Sequence, residues 1–363
     1  MSVYLIFLFS VIILCSFRIK KSASRNYLYP FAIIGWVVII LFSGLRYGIG
    51  TDYFSYEAIF YSIDSGGSYN ESLEPGFKFL GSLFSNTKNG FYCFIFLLST
   101  ITNVFFLFAI YKESEKISEN LKALSLILFF LSSTYFWPFN GVRQGLACSF
   151  IVFSLRYIFR RDFIRFCLCV VIAALFHKSA IVVVFIYFLY GVRLSSFFYL
   201  CAVIASIIIH QTGIVSLIGQ MLLPYLGEKY ARYIYNPLDF GGSGLGVYVY
   251  VIIFFVLWWC GAYVKKNIIH KNDVHNQINY YLCLFTIGLI LRVFALDNLI
   301  FVRFAYYFTI FDMLFIPYLI SQFIRLSNRV VLSLFFIFIY FILFINSIMN
   351  SNDLLPYDNI FFR

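Results

Sequence analysis

Apolar runs of about 15 to 23 residues recur from one end of the chain to the other, and this pattern limits the fold before any motif is read. Such a run matches the ~30 Å hydrocarbon core of a bilayer, where every backbone polar group must find its partner within the protein. With 62% hydrophobic and only 12% charged residues, and a mean hydropathy of +0.88, the chain carries about half the charged fraction of a water-soluble protein. The expectation is an all-α, polytopic integral membrane protein forming a single transmembrane domain over residues 1–363. About 12 transmembrane helices are expected, at roughly 3–17, 28–44, 90–111, 122–137, 142–159, 163–176, 178–192, 195–210, 245–264, 278–296, 301–323 and 330–349. Several are short or broken. Sixteen helical residues rise only ~24 Å, so these elements should be shielded by neighbours or stop at a water-filled cavity. The 48 Phe and 29 Tyr read first as lipid-facing and interfacial aromatics.

Arg18, Lys20, Lys21 and Arg25 follow the first run directly, with no small-residue cleavage site. That run therefore reads as a retained span with its N-terminus outside, not as a signal peptide. The net charge of +11 then reports a positive-inside bias, not nucleic-acid binding, with inner anchors at Arg18–Lys21, Arg156–Arg165 and Lys265–Lys271. Residues 163–192 are read as a hairpin, because one helix of that length would be ~45 Å long and leave Lys178 near the bilayer centre. Two large outer loops result, 45–89 and 211–244. The first holds an amphipathic segment near Tyr53–Ile63, a flexible turn at Ser65–Ser68 and an interfacial segment Phe77–Phe84 after Pro75-Gly76. The second holds Ile214–Leu226, a tyrosine-rich stretch and Gly241–Gly244. Residues 350–363 read as a short polar tail. The eight cysteines lie inside apolar runs without zinc or disulfide spacing and read as packing residues.

The stretch Gly44–Tyr56 concentrates the polar chemistry. Arg46 and Asp52 lie among three glycines and three tyrosines, the glycines permitting close backbone approach to a ligand; the plainer reading is a snorkelling arginine and a loop salt bridge. At Trp137–Gly145, Pro138 ends one helix and Arg143-Gln144 opens the next, where unpaired N–H groups and the helix dipole favour an anion. His177-Lys178-Ser179 breaks two short helices at membrane depth, where ionisable groups are costly and tend to be functional; His177 is a candidate general base. Arg292, Asp297 and Arg303 share the last outer hairpin, and two nearby guanidiniums suit a diphosphate. Asp312 lies on the opposite side of its helix from Arg303 and is left unpaired with it. There is no Asp-x-Asp, P-loop or complete dinucleotide fingerprint, and no metal or cofactor is expected.

In order, Arg46-Tyr47-Gly48-x-Gly50-Thr51-Asp52-Tyr53, Glu74-Pro75-Gly76-Phe77, Val142-Arg143-Gln144-Gly145 and His177-Lys178-Ser179 resemble the motifs of EpsG / Wzy-type polysaccharide polymerases. The resemblance spans about residues 44–180, with a looser echo at Arg292–Arg303. It implies a glycosyltransferase of the bacterial inner membrane whose site faces the periplasm, similar to the metal-independent, lipid-donor (GT-C-like) enzymes. Such enzymes polymerise undecaprenyl-diphosphate-linked oligosaccharide units, which serve as donor and acceptor, into O-antigen or capsular polysaccharide, alongside a flippase and a chain-length regulator. With no metal, preorganised cations must stabilise the departing diphosphate; Arg143, Arg292 and Arg303 are assigned to it, with Arg46 and Lys178 as further candidates. The proton acceptor is sought among His177, Asp52 and Glu74. Tyr53, Tyr56, Gln144, Tyr230 and Tyr233 are candidates for the glycan groove, the tyrosines serving equally as an aromatic belt. Two alternatives stay open: an O-antigen ligase, using the same donor, and a lipid-linked oligosaccharide flippase.

Overall fold

An apolar segment satisfies its backbone most simply as a helix, and helices account for nearly all of this structure. The computed structural model describes residues 1–16, 30–65, 73–114, 119–226, 244–267, 272–350 and 353–362. The expected turn at Ser65–Ser68, the basic anchor Arg18–Lys21, Tyr230, Tyr233 and most of Gly241–Gly244 lie outside the described residues. In chain order the helices are α1 (Ser2–Ser16), α2 (Pro30–Gly44), α3 (Tyr53–Ser65), α4 (Pro75–Ser82), α5 (Gly90–Ser114), α6 (Glu119–Leu131), α7 (Val142–Phe159) and α8 (Phe163–Phe176). They continue as α9 (Ile186–Leu189), α10 (Ser196–Gln211), α11 (Ile214–Leu226), α12 (Leu245–Asn267), α13 (Asn272–Phe294), α14 (Ile300–Thr309), α15 (Asp312–Ser321) and α16 (Leu326–Asn350). Among the described residues there is no strand, only an isolated antiparallel bridge between Arg46 and Asn359.

Among the described residues, six helical stretches are long and apolar enough to cross a bilayer: α5, α7, α12, α13, the α14–α15 pair and α16. Six further apolar helices have 10 to 17 residues. α7 packs between α5 and α8, and α13 packs on α10, α12 and α14. Many large apolar side chains, among them Ile164, Leu168 and Phe338, face outward, as a lipid-facing surface requires.

Three expected spans differ in form. The segment expected at 122–137 is helical only to Leu131. Ser132, Ser133 and Thr134 follow, Ser133 in the left-handed region at φ 62°, and a short 3-10 turn at Trp137–Phe139 carries Pro138. Small hydroxyl residues bond locally and compete with the helix ladder; here Ser132 and Thr134 hydroxyls lie 2.8 Å apart. The segment expected at 301–323 is divided at Ile310–Phe311. Residues 163–192 do reverse, at His177 (φ −152°, ψ 106°). The returning arm is mostly 3-10 helix, Lys178–Phe185, and it brings the Tyr187 ring back to 4.9 Å from Phe163 and 5.4 Å from Phe166.

Outside the long helices, α3 turns Tyr53, Tyr56, Phe60 and Ile63 inward, a spacing that matches one helical face. α4 packs on α3, α5 and α8. These two short helices carry the 45–89 loop back onto the bundle.

Candidate functional site

Segments far apart in sequence meet at one end of the bundle: the 45–52 loop, the start of α4, the start of α7, the α8 terminus and the start of α14. Glu74 is the N-cap of α4, and Pro75 takes the first helical turn, where a missing N–H costs nothing. Its carboxylate makes no capping bond and accepts instead from Arg143 Nη1 at 2.5 Å. The second carboxylate oxygen lies 3.5 Å from His177 Nδ1 and 3.5 Å from the Lys178 backbone nitrogen. Gly76 makes this approach possible. A Cβ there would stand 2.9 Å from the Leu175 carbonyl oxygen, so α4 meets the end of α8 backbone to backbone.

Glu74 is 5% exposed. Burial alone would raise its carboxyl, but the neighbouring His177 imidazole and the Arg143 charge outweigh burial and lower it to about 2. A carboxylate this acidic anchors charge and is a poor proton acceptor. Asp52 has the opposite character. It keeps solvent access at the end of the loop, while the protein walls around it raise its carboxyl and the charges of Arg303 and Arg143 oppose that rise. No ion pair closes on Asp52 among the described residues. Arg303 is brought to this place by Gln144, whose amide donates to the Arg303 carbonyl, tying α7 to α14. Tyr56 lies against the Arg143 guanidinium, whose Nε is buried without a hydrogen-bond partner.

Other sequence candidates fall elsewhere. Arg46 is only 2% exposed and is held in a separate network, with Nη1 on the Ser43 carbonyl and on Ser99 Oγ at 3.2 Å and its guanidinium 4.6 Å from the Phe139 ring. That is a cation capturing the last carbonyls of α2, beside a small cavity lined in part by Ser43, Thr102 and Thr134. Tyr53 is 1% exposed and packs on Phe54 and Phe91, and Tyr56 is also buried; both are wall residues and not an open sugar platform. The Lys178 ammonium is exposed and joins no ion pair among the described residues. Asp297 does not pair with either arginine of its hairpin: it sits 2.8 Å from His210 Nδ1 at the end of α10.

Arg292 sits deeper. It stacks 4.0 Å over Tyr250, and its Nη2 lies 3.4 Å from the Tyr250 hydroxyl and 3.3 Å from Thr309 Oγ1. Asp312, fully buried, accepts from the Tyr340 hydroxyl at 2.7 Å. Tyr306 joins this pocket to the first cluster, its ring lying 5.6 Å from Arg292 and 4.1 Å from the Trp137 ring at a 42° tilt. Tyr307 reaches Ser179 at 3.0 Å. These tyrosines were missed in the sequence, although Arg303, Tyr306 and Tyr307 stand three and four residues apart on one helical face. Nothing in their spacing points to Tyr250 or Tyr340, which come from other helices.

One family profile, that of the EpsG family, matches residues 27–359. No curated protein and no solved structure matches.

Proposed function

The chain belongs to the EpsG family, a family of polysaccharide-polymerase type, and from that premise we propose that it is a membrane glycosyltransferase that joins lipid-diphosphate-linked oligosaccharide units on the periplasmic face of a bacterial inner membrane. The observation that carries this reading is the placement of one carboxylate, Asp52, without an ion pair among the described residues and within electrostatic reach of two guanidiniums, Arg303 and Arg143. An acceptor hydroxyl attacks the anomeric carbon of the donor; the bond from that carbon to the diphosphate oxygen breaks; the electron pair leaves with the diphosphate. Asp52 takes the hydroxyl proton. Arg303 offers the first hold on the departing diphosphate, and Arg143, fixed by Glu74, offers its remaining donors. His177 orients Glu74 and, with it, Arg143. Arg292, beside Tyr306 and Tyr250, is assigned to the rear of the same site. The grouping of Asp52, Glu74, Arg143, His177 and Arg303 at one end of the bundle supports a one-sided transferase over a flippase, whose path needs polar groups reachable from both faces.

The test is chain length. Asp52→Asn and Arg303→Ala are expected to leave single repeat units in place of a ladder, with losses of about 10² to 10⁴ in rate, in protein that inserts normally. Arg303→Lys is expected not to restore a bidentate contact. A normal ladder from both Asp52→Asn and Arg303→Ala would overturn the assignment.

A further inference from the structure

Residues 353–360 are fastened along the 45–50 loop. The Tyr47 N–H donates to the Asp358 carbonyl at 3.1 Å, the Ile360 N–H to the Leu45 carbonyl at 3.0 Å and the Gly50 N–H to the Asp353 carbonyl at 3.1 Å. The first two bonds flank the antiparallel bridge between Arg46 and Asn359. Side chains secure the same contact. Tyr357 stacks on Phe42 at 4.1 Å and its hydroxyl donates to the Phe42 carbonyl at 2.8 Å. Phe42 in turn stacks on Phe7 at 4.0 Å. Leu354 is fully buried, and its carbonyl accepts from the Tyr4 hydroxyl.

The other side of the loop rests on the turn before α7. At Gly50, where φ is +101°, a Cβ would stand 2.5 Å from Asn140 Oδ1 and 2.9 Å from the Phe139 carbonyl oxygen. Ile49 and Gly50 are buried. A buried loop with no ladder of its own must find outside partners for its N–H and C=O groups, or lose the free energy of those bonds. Residues 353–360 supply three of them. Asp52 follows Gly50 by two residues and immediately precedes α3, so its position relative to Arg143 and Arg303 is set by where this loop is pinned.

We propose that residues 353–360 form a positioning strap for the reaction, holding the 45–52 loop so that the Asp52 carboxylate faces Arg143 and Arg303. The strap touches no reacting atom; it acts through the loop. Its chemical consequence rests on the transferase reading above, whereas its mechanical consequence, a fixed loop, is measurable without any knowledge of the product.

The experiment uses the full chain in membranes, with Thr51→Cys as a reporter in a background without other accessible thiols. Tyr357→Ala and a deletion of residues 353–361 are expected to speed labelling of Thr51→Cys by a membrane-impermeant maleimide at least about threefold. They should also cut polymer formation by about 10²-fold, the scale of a 1 Å misplacement of a reacting group. Tyr357→Phe keeps the ring stack and should retain most activity. A cysteine pair at Tyr47 and Asp358, facing positions across the antiparallel pairing, should cross-link and leave the ladder intact, and it remains informative if the deletion fails to insert. Unchanged labelling in Tyr357→Ala overturns the strap, as does a polymer ladder lost on cross-linking and regained on reduction, since the segment would then have to leave for turnover. Altered labelling in a protein whose wild type makes no polymer upholds the strap and instead sinks the transferase reading.

Discussion

Glu74 and Asp52 are carboxylates at the same end of the bundle, and their surroundings drive them in opposite directions. Glu74 is lowered from 4.5 to about 2, because its partners His177 and Arg143 outweigh burial. A depressed carboxyl contributes stability that is fully present above its unfolded value and is lost as pH falls through its folded value. The thermal midpoint in detergent should therefore hold above pH ~5 and fall between about pH 4.5 and 2, a loss on the order of 3 kcal/mol. Glu74→Gln should flatten that part of the curve; an unchanged slope would mean that Glu74 is not the anchor. Asp52 is raised above its ordinary 3.8, so a reaction that needs it ionised should show an acid limb above that value. A rate profile whose acid limb is unmoved in Asp52→Glu would assign the limb to another group. At this scale Arg143 and His177 were legible as candidates because ionisable groups in apolar surroundings stand out, Asp52 because of the glycines around it, and Glu74 only through the family resemblance. Their ranking was not, since it depends on the 2.5 Å contact between Arg143 and Glu74, made across 69 residues.

Helices are positioned here by small residues as much as by large ones. Gly76 places α4 against the last turn of α8, with the Leu175 carbonyl oxygen 2.9 Å and its Cβ 3.1 Å from where a Cβ would stand. Backbone cannot yield as a side-chain tip does, so Gly76→Ala should cost about 1 to 3 kcal/mol and part Glu74 from His177. Thermal unfolding measures the first effect, and loss of the low-pH slope assigned to Glu74 measures the second; a stable, pH-sensitive Gly76→Ala would refute the packing account. Helix positions were largely readable from apolar run lengths. Their interruptions were less so. Leu131, where α6 ends, and Ile310–Phe311, where α14 gives way to α15, are set by local hydroxyls and by neighbours such as Gly288, where a Cβ would lie 3.1 Å from Phe308 and Thr309 side chains. Period alone carries no record of such contacts.

Across the whole molecule, Arg143, Glu74 and His177 gather at one end, while three cations elsewhere, Arg161, Arg193 and Lys265, are held by structural bonds. Arg161 donates to the Tyr190 carbonyl, Arg193 to Asn276, and Lys265 to Asn279. If the Arg143 end faces the periplasm, Lys88→Cys should label with an impermeant maleimide in intact cells, and Arg165→Cys only after the membrane is opened. The reverse pattern would turn the molecule over. Sequence conveyed the class of this architecture but not the role of Asp353–Ile360, because a short polar ending carries no period and its value lies in what it covers. The shortness of α1, α2 and α8, at 15, 15 and 14 residues, has its own outcome. Such helices rise only ~21 to 23 Å beside a ~30 Å hydrocarbon layer, and α8 ends directly at His177. A bilayer that meets helices this short is expected to thin locally to match them. Under the transferase reading, a lipid-diphosphate donor sliding in so thinned a leaflet would reach the site with its tail still in oil, and no lifting from the membrane would be required.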